Sequence, residues 1–419
     1  MIKYLLILCF FNTVRTSEHY EGLLHEHLFK DYIVNVRPVS DYQNTVFVTL
    51  ALSLRKILHL DEIHQSFKTT VNILLYWKDE MLTWNETEYH EISSLEFPFH
   101  KNIWTPDLMI YNALKTPGKI GMKGAFVRLY SNGQVFVWTQ TNIDTACEIR
   151  TKKYPFDEQT CKIIFAKFIS SDRKVMITPI TDSIDMAEYV EVAEWDIIEN
   201  QATTEVRPYN ISKNVLENAS EIETLNYTYI TYTLKMKRSC RLCFHNVIIP
   251  VLVLAALNML TFFVPCESGE KTSFPISIFL TLAVFLTMIT QSLPESVDGV
   301  SYLSSYVTFQ LAISAVTLFS AVISLHLHYK KGNSQVPKYV HSLVSVLKFG
   351  RSSVTTKSEQ AKGDENCFGP HLNGSAEGNK TAKEVAPVNV SYTFDRLMFV
   401  LLLLCETITT VIFIEQIIN

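Results

Sequence analysis

Four long apolar stretches in the second half of the chain constrain its fold more than any other feature. They cover residues 244–264, 272–293, 302–326 and 393–418. A helix needs about 20 mostly apolar residues to cross the hydrocarbon core of a bilayer, and each stretch reaches that length. Because backbone polar groups find no water inside lipid, these stretches are predicted to be transmembrane helices. They account for a composition in which 47% of residues are hydrophobic and only 19% are charged.

The charge distribution and the N-terminus predict the orientation in the membrane. Residues 327–392 are rich in Ser, Lys, Gly and Asn and carry basic residues from Lys330 to Lys362, which is typical of a cytoplasmic loop. In residues 1–17, Lys3 precedes a short apolar run that is followed by small and polar residues. This pattern predicts a signal peptide; the alternative, a membrane anchor, would need a longer run. The chain is therefore predicted to be a multi-pass plasma-membrane protein with an extracellular N-terminus.

Residues 18–243 contain no apolar stretch of membrane-spanning length. Short segments such as 45–50 and 134–138 alternate apolar and polar residues, and turns such as Ser131-Asn132-Gly133 separate them. This alternation predicts an extracellular β-sandwich, with one helix over residues 22–30. N-x-Ser/Thr sequons, the expected glycosylation sites of this surface, start at Asn85, Asn210, Asn218 and Asn226.

Two cysteines, Cys147 and Cys161, enclose thirteen residues that include Tyr154-Pro155-Phe156-Asp157. On its own, this spacing could mark an ordinary disulfide of a secreted domain, worth about 3 kcal/mol. Further elements accompany it: Trp77-Lys78-Asp79, Trp104-Thr105-Pro106-Asp107, Glu194-Trp195-Asp196 and Gly269-Glu270-Lys271. Together with the four apolar stretches, this pattern resembles the Cys-loop pentameric ligand-gated ion channels. Its sequence motifs are most similar to those of nicotinic acetylcholine receptor subunits.

The resemblance covers nearly the whole chain and implies a mixed multidomain fold. An extracellular β-sandwich would precede a four-helix transmembrane bundle, and like subunits would assemble as a homo- or heteropentamer. Cys147 and Cys161 would form the disulfide. The implied partners are a small-molecule agonist bound between subunits, membrane lipid and permeant cations, with no cofactor. The residues implied in coupling the domain to the pore are Glu62, Phe156, Asp157, Arg238 and Pro294; Phe156 is equally explained by packing.

One face of the second apolar stretch is predicted to line a pore. Its residues recur at steps of four and three and are Ser273, Ser277, Leu280, Val284, Met288 and Gln291. Such a stripe could instead satisfy neighbouring helices. In a pentamer, however, Glu267 and Glu270 would each form an acidic ring that concentrates cations and repels anions.

The resemblance agrees with this interpretation. Gly-Glu-Lys is the cation-selective form of the motif, whereas anion-selective relatives carry an inserted Pro-Ala element that this sequence lacks. Leu280 would form the hydrophobic constriction, and Gln291 would weaken the outer ring. Proline is tolerated in a first helical turn, so Pro275 predicts a helix that starts near Phe274 with Ser273 as its cap.

The resemblance also implies an aromatic ligand pocket, with two departures from the nicotinic pattern. Phe168 and Asn72 stand where Trp is expected, and no vicinal cysteine pair lies between Tyr209 and Tyr227. Since Trp gives the strongest cation–π attraction, the pocket suits a hydrophobic or aromatic ligand at least as well as acetylcholine. In this respect the sequence is similar to cephalopod chemotactile receptors. The implied ligand-binding residues are Tyr111, Trp138, Phe168, Tyr209 and Tyr227, together with Asn72. Each of the five aromatic residues could instead contribute to packing between strands.

Other functions are less consistent with the sequence. A net charge of −5 argues against nucleic acid, and no catalytic motif indicates an enzyme. Cys240-x-x-Cys243 is only half of a zinc site, so no metal is predicted. Glu406 is an acidic residue within the fourth apolar stretch. An ionisable residue inside a membrane is expected to have a function, but the sequence does not indicate which residue pairs with Glu406. A non-ligand-binding structural subunit of a heteromeric receptor is the main alternative, and an anion channel is a third.

Overall fold

The computed structural model describes residues 20–99, 103–114, 120, 124–212, 222–241, 244–292, 299–329 and 387–418. The predicted signal peptide, Pro294, Asn218 and most of the predicted cytoplasmic loop lie outside the described residues. The chain divides into two compact units, and each is described separately. One unit comprises Met1–Phe244 with Thr290–Ser301, and the other comprises His245–Ile289 with Tyr302–Asn419.

The first unit is built from two β-sheets, as the alternating segments predict. A six-stranded sheet has the order β3-β5-β6-β2-β1-β8, and a four-stranded sheet has the order β4-β7-β10-β9. Strand β8 runs parallel to β1, and the other pairings are antiparallel. The strands are β1 Val46–Asp61, β2 Ser66–Lys78, β3 Ser94–Pro98, β4 Leu108–Ile110, β5 Phe126–Tyr130, β6 Gln134–Ala146, β7 Glu158–Lys167, β8 Val175–Pro179, β9 Trp195–Ser212 and β10 Ile222–Arg238.

The inward faces of both sheets form one apolar core, which confirms the predicted β-sandwich. On β2 every second residue from Val71 to Trp77 is buried, and on β10 the same holds from Ile230 to Met236. This period of two is the side-chain period of a strand with one face on the core. A helix α1 over residues 20–29 precedes the sheets, two residues earlier at its start than predicted.

The turn predicted from Ser131-Asn132-Gly133 connects β5 to β6. Gly133 has φ +82°, and a Cβ atom on it would lie 2.2 Å from the backbone oxygen of Asp79. Its own carbonyl accepts a hydrogen bond of 2.7 Å from the Asp79 N–H. Glycine is therefore required here both by the backbone conformation and by the close approach.

Cys147 and Cys161 form a buried disulfide in the structure, with an S–S distance of 2.00 Å. Cys161 lies in β7, and Cys147 follows the end of β6 directly. The bridge therefore joins the six-stranded sheet to the four-stranded sheet at the two ends of the loop that contains Phe156 and Asp157.

Four helices, each long and apolar enough to cross a membrane, lie almost entirely in the second unit; only Phe244 and residues 290–292 belong to the first. The helices are α2 Phe244–Phe263, α3 Ser273–Ser292, α4 Tyr302–Tyr329 and α5 Pro387–Ile418. Helix α4 continues to Tyr329, three residues beyond the predicted limit of 326, and α5 begins at Pro387, six residues before the predicted start at 393. Hydropathy marks the part of a helix that suits lipid, and backbone hydrogen bonds can continue beyond it into polar sequence.

The start of α3 also differs from the expectation. Ser273 does not act as its cap, because its hydroxyl donates a hydrogen bond to the Glu270 carbonyl instead of accepting one from a backbone N–H. The Phe274 N–H already bonds the Glu270 oxygen at 3.2 Å. Pro275 thus lies in the first turn, where its missing N–H costs little.

Polar contacts attach α5 to the other helices. At one end, the Lys271 ammonium lies 2.5 Å from the Asp395 carboxylate, and both side chains are buried. Towards the middle of α5, Gln310 of α4 donates a hydrogen bond of 2.6 Å to Glu406. Two hydroxyl pairs add to these contacts, Ser324 with Ser391 at 2.9 Å and Tyr306 with Thr410 at 3.2 Å.

Candidate functional site

Four tyrosines meet on one face of the four-stranded sheet. The Tyr111 ring packs edge-on against Tyr229 with centroids 5.3 Å apart, and Tyr209 packs in the same way against Tyr227 at 5.5 Å. A hydrogen bond of 3.2 Å between the Tyr209 and Tyr229 hydroxyls joins the two pairs. We call Tyr111, Tyr209, Tyr227 and Tyr229 the tyrosine cluster. Three of its members are predicted ligand-binding residues, so strand pairing brings these three together.

Tyr229 is the member that sequence reasoning missed. It lies two residues after Tyr227 on β10 and therefore on the same face of the strand, which is the signal that could have identified it. It is only 5% exposed. Burial, and then the hydrogen bond with Tyr209, raise the pKa of Tyr229 to about 12. A tyrosine is already neutral at physiological pH with its ordinary pKa of about 10, and the raised pKa makes the Tyr229 phenol harder still to ionise.

Phe168 follows β7 in a loop that Asp107 holds in place. The Asp107 carboxylate accepts hydrogen bonds from the N–H groups of Ile169 at 2.6 Å and Ser170 at 2.9 Å. Burial opposes ionisation of Asp107, but these two bonds outweigh it and lower its pKa. The Tyr227 hydroxyl donates to the Ile169 carbonyl at 3.4 Å, so the loop lies beside the tyrosine cluster. Phe168 itself is 67% exposed.

A positively charged side chain, that of Arg207, packs against the tyrosine cluster. The Arg207 guanidinium carbon lies 4.4 Å from the centre of the Tyr229 ring, within cation–π distance. Arg207 is paired with Tyr227 across β9 and β10, and its guanidinium also lies 2.8 Å from the Glu205 carboxylate. Nothing in the sequence distinguishes Arg207, because a basic residue in an exposed strand is ordinarily solvated.

The two remaining predicted ligand-binding residues lie on the six-stranded sheet. Trp138 of β6 is 44% exposed and stands opposite Leu74 of β2 and Phe126 of β5. Asn72 of β2 is only 5% exposed, and its amide donates to Glu188 at 3.3 Å. Within one chain, therefore, Trp138 and the tyrosine cluster belong to different sheets.

A buried ion cluster gathers three of the five predicted coupling residues. Arg238 donates to Asp157 from Nε at 2.8 Å and from Nη2 at 3.2 Å, and Nη2 also donates to Glu62 at 2.7 Å. The indole of Trp195 lies 4.4 Å from the guanidinium carbon. Burial opposes the charge, but Asp157 and Glu62 more than offset it and raise the pKa of Arg238. Phe156 is half-buried beside Asp157.

The predicted pore face of α3 is exposed along its length, whereas Ile278, Leu282 and Ile289 on another face are buried. Glu267 and Glu270 are also exposed. Lys271, the third residue of the Gly-Glu-Lys motif, is instead buried against Asp395. The six residues of the predicted face, Ser273, Ser277, Leu280, Val284, Met288 and Gln291, are all exposed in the single subunit.

Three of the four predicted glycosylation acceptors lie among the described residues. Asn85, Asn210 and Asn226 are exposed, as glycosylation acceptors must be. The Asn85 side chain also accepts a hydrogen bond of 3.3 Å from the Thr87 N–H at the start of a short 3₁₀ turn. In the part of the chain that the structure describes, no group of three or more His, Cys, Asp or Glu side chains is suited to hold a metal ion.

Comparison with known families agrees with this architecture. The family model "Neurotransmitter-gated ion-channel ligand binding domain" matches residues 21–240, and "Neurotransmitter-gated ion-channel transmembrane region" matches residues 247–386. The first match alone covers more than half of the chain. The chain belongs to the neurotransmitter-gated ion-channel family, whose members are channels and not enzymes, and it is a divergent, nicotinic-like Cys-loop subunit. It is a multi-pass plasma-membrane protein with its ligand-binding domain outside the cell.

Individual relatives are neuronal acetylcholine receptor subunits. The chain is 29% identical to subunit alpha-6 of Rattus norvegicus over 338 residues, which cover 80% of this chain and 66% of that protein. It is 27% identical to subunit alpha-3 of Mus musculus, covering 89% of this chain and 74% of that one. It is 28% identical to subunit alpha-2 of Homo sapiens over 322 residues, which cover 76% of this chain and 58% of that protein. The chain thus spans about two thirds or less of two of these three relatives.

Proposed function

We propose that this chain is a subunit of a ligand-gated, cation-selective channel that a small molecule opens from an aromatic pocket between subunits. The observation that carries the proposal is the tyrosine cluster beside the Phe168 loop, on the outer face of an extracellular sandwich. Four aromatic rings in contact provide a large apolar surface, and their hydroxyls can orient a bound molecule. The exposed face of α3, flanked by Glu267 and Glu270, supports a cation-conducting pore.

The pocket requires two subunits. Trp138 and the tyrosine cluster lie on different sheets of one chain, so a pocket containing both combines one face of this subunit with the other face of a neighbour. A homopentamer would supply both faces from copies of this chain, and a heteropentamer from a like subunit. Asn72 would stand behind Glu188 in this pocket, since it is buried in the single subunit.

Arg207 bears on the class of ligand. Its guanidinium already occupies a cation–π position on Tyr229. A quaternary ammonium would have to displace it or accept a like charge nearby, and both cost free energy. A hydrophobic or aromatic ligand without positive charge avoids this cost, so we favour such a ligand over acetylcholine.

Expression of this chain alone, followed by whole-cell recording, tests the proposal directly. We expect cation current in response to a panel of hydrophobic aromatic compounds. Trp138→Ala and Phe168→Ala should each raise the half-maximal concentration about fivefold, because each removes an aromatic contact worth about 1 kcal/mol. Phe47→Ala, which removes an exposed aromatic from β1, is the matched control and should leave sensitivity unchanged. Normal surface expression with unchanged sensitivity in both test variants would contradict the pocket assignment.

The structural-subunit alternative has a separate outcome. The absence of a vicinal cysteine pair between Tyr209 and Tyr227 favours it. A non-binding subunit would reach the surface yet give no current to any compound without a partner subunit. Current that reverses with the anion gradient would instead support an anion channel.

Arg207→Ala is expected to increase sensitivity to acetylcholine. Removing the guanidinium frees the Tyr229 face, and an unshielded cation–π contact is worth about 1 kcal/mol, or roughly fivefold in concentration. Concentration–response curves for acetylcholine and for an uncharged agonist measure the effect. Arg128→Ala is the matched control, since Arg128 also pairs with a glutamate on an exposed strand. Equal changes for both agonists would mean that Arg207 does not select by charge.

A further inference from the structure

Helices α2 and α5 border a groove of about 390 Å³ within the membrane-spanning unit. This volume is within the range of small-molecule pockets. Most of the lining is apolar, with Leu252, Met259 and Phe263 on α2 and Leu403 on α5. Two polar residues, Glu406 and Thr410, interrupt it on α5.

Glu406 has only half of its carboxyl group satisfied. It is 8% exposed, and its Oε1 accepts the hydrogen bond from Gln310 at 2.6 Å. Its Oε2 is buried and accepts no well-formed hydrogen bond among the described residues; the Thr410 hydroxyl lies near the carboxyl group and interacts with it less strongly than Gln310 does. No lysine, arginine or histidine pairs with it in the part of the chain that the structure describes. A buried carboxylate in a membrane is costly unless it is hydrogen-bonded and paired with a positive charge, and Glu406 has no such charge beside it among the described residues.

We propose that the groove binds a lipophilic primary amine, with the ammonium group on the Glu406 carboxylate and the alkyl chain along the α2 side chains. An ammonium supplies both the missing N–H donor and the opposite charge. An alcohol supplies a donor without charge, and a lipid acyl chain supplies neither. The amine is therefore the occupant whose chemistry completes what Glu406 lacks.

This site is independent of the extracellular pocket. Every residue in it belongs to α2, α4 or α5, and none belongs to the sandwich. Binding can therefore be measured whether or not the channel opens to any agonist.

The test uses the full-length chain purified in lipid nanodiscs, with radiolabelled dodecylamine and dodecanol as probes. We expect saturable binding of dodecylamine that dodecanol competes for only weakly. Glu406→Gln keeps the shape and the Gln310 contact but removes the charge, and should weaken amine binding about tenfold or more. Glu406→Asp should retain most of the binding. Glu415→Gln removes an exposed carboxylate from the same helix and should have no effect.

Two results would overturn the proposal. One is equal binding of dodecylamine and dodecanol to the unaltered protein, which needs no variant and would indicate an apolar groove without charge recognition. The other is undiminished amine binding in Glu406→Gln. If that variant is not monodisperse, Leu403→Trp, which fills the groove from α5, decides the matter: amine binding that persists with the groove filled places the amine elsewhere.

Discussion

Arg238→Ala is expected to be the most damaging single substitution in the extracellular unit. It would leave the carboxylate of Asp157 buried without its bidentate partner and remove the only arginine that also bonds Glu62 in the described structure. Breaking a buried ion pair from one side costs about 3–5 kcal/mol. A domain stability of about 5–15 kcal/mol makes this a large fraction of the whole. We expect a markedly lower unfolding temperature of the purified receptor and little protein at the cell surface.

A matched control separates burial from charge. Arg55→Ala also removes an arginine from an ion pair, with Glu188, but that pair is partly exposed and should contribute about 0–1 kcal/mol. Arg238→Lys keeps the charge but loses the bidentate geometry, so it should fall between the two. An Arg238→Ala receptor as stable as Arg55→Ala would mean that the ion cluster does not hold the loop between Cys147 and Cys161. Normal stability with slower or weaker opening would point to coupling alone.

Replacing Glu270 with alanine, together with a proline inserted beside it, is expected to reduce cation preference strongly. Charge-lined clefts raise the local concentration of counter-ions by about tenfold or more, and this change would remove one such ring from a pentamer. The pairing of Lys271 with Asp395 matters here, because a lysine that is buried against an acid would not offset the acidic rings of the proposed pore. Reversal potentials under sodium and chloride substitution measure the change.

Glu270→Asp is the control for this prediction, since it preserves the ring charge and should preserve cation selectivity. Reversal potentials that stay the same in the alanine variant would assign selectivity to another feature of the pore, with Glu267 as the next residue to replace.

The sequence predicted the parts of this fold that depend on local pattern. Membrane-spanning length identified four helices, and alternation along β2 and β10 identified a sandwich, because burial on one face imposes its period directly on the residues. Among the described residues, α4 and α5 extend past the apolar stretches, to Tyr329 and from Pro387.

Features that depend on pairing distant segments could not be predicted from residues alone. Asp395 lies 124 positions from Lys271, and Gln310 lies 96 from Glu406, so neither partner is indicated by spacing. The same holds for Arg207: only the register of β9 against β10 and the approach of its guanidinium to Tyr229 give it a role. Tyr229 differs, since a two-residue step from Tyr227 placed it on the correct face and could have been used.

The polar contacts of α5 also fix how deeply this helix sits in a bilayer. In lipid, apolar surfaces gain little by packing together, so hydrogen bonds and ion pairs carry more of the positional information. The first and last of these contacts are 19 residues apart, at Ser391 and Thr410, a distance of about 28 Å along a helix, close to the thickness of the hydrocarbon core. Sliding α5 by one turn would break all of them together. A thinner or thicker membrane is therefore expected to tilt α5 with its neighbours, so that bilayer thickness acts on the bundle as a unit.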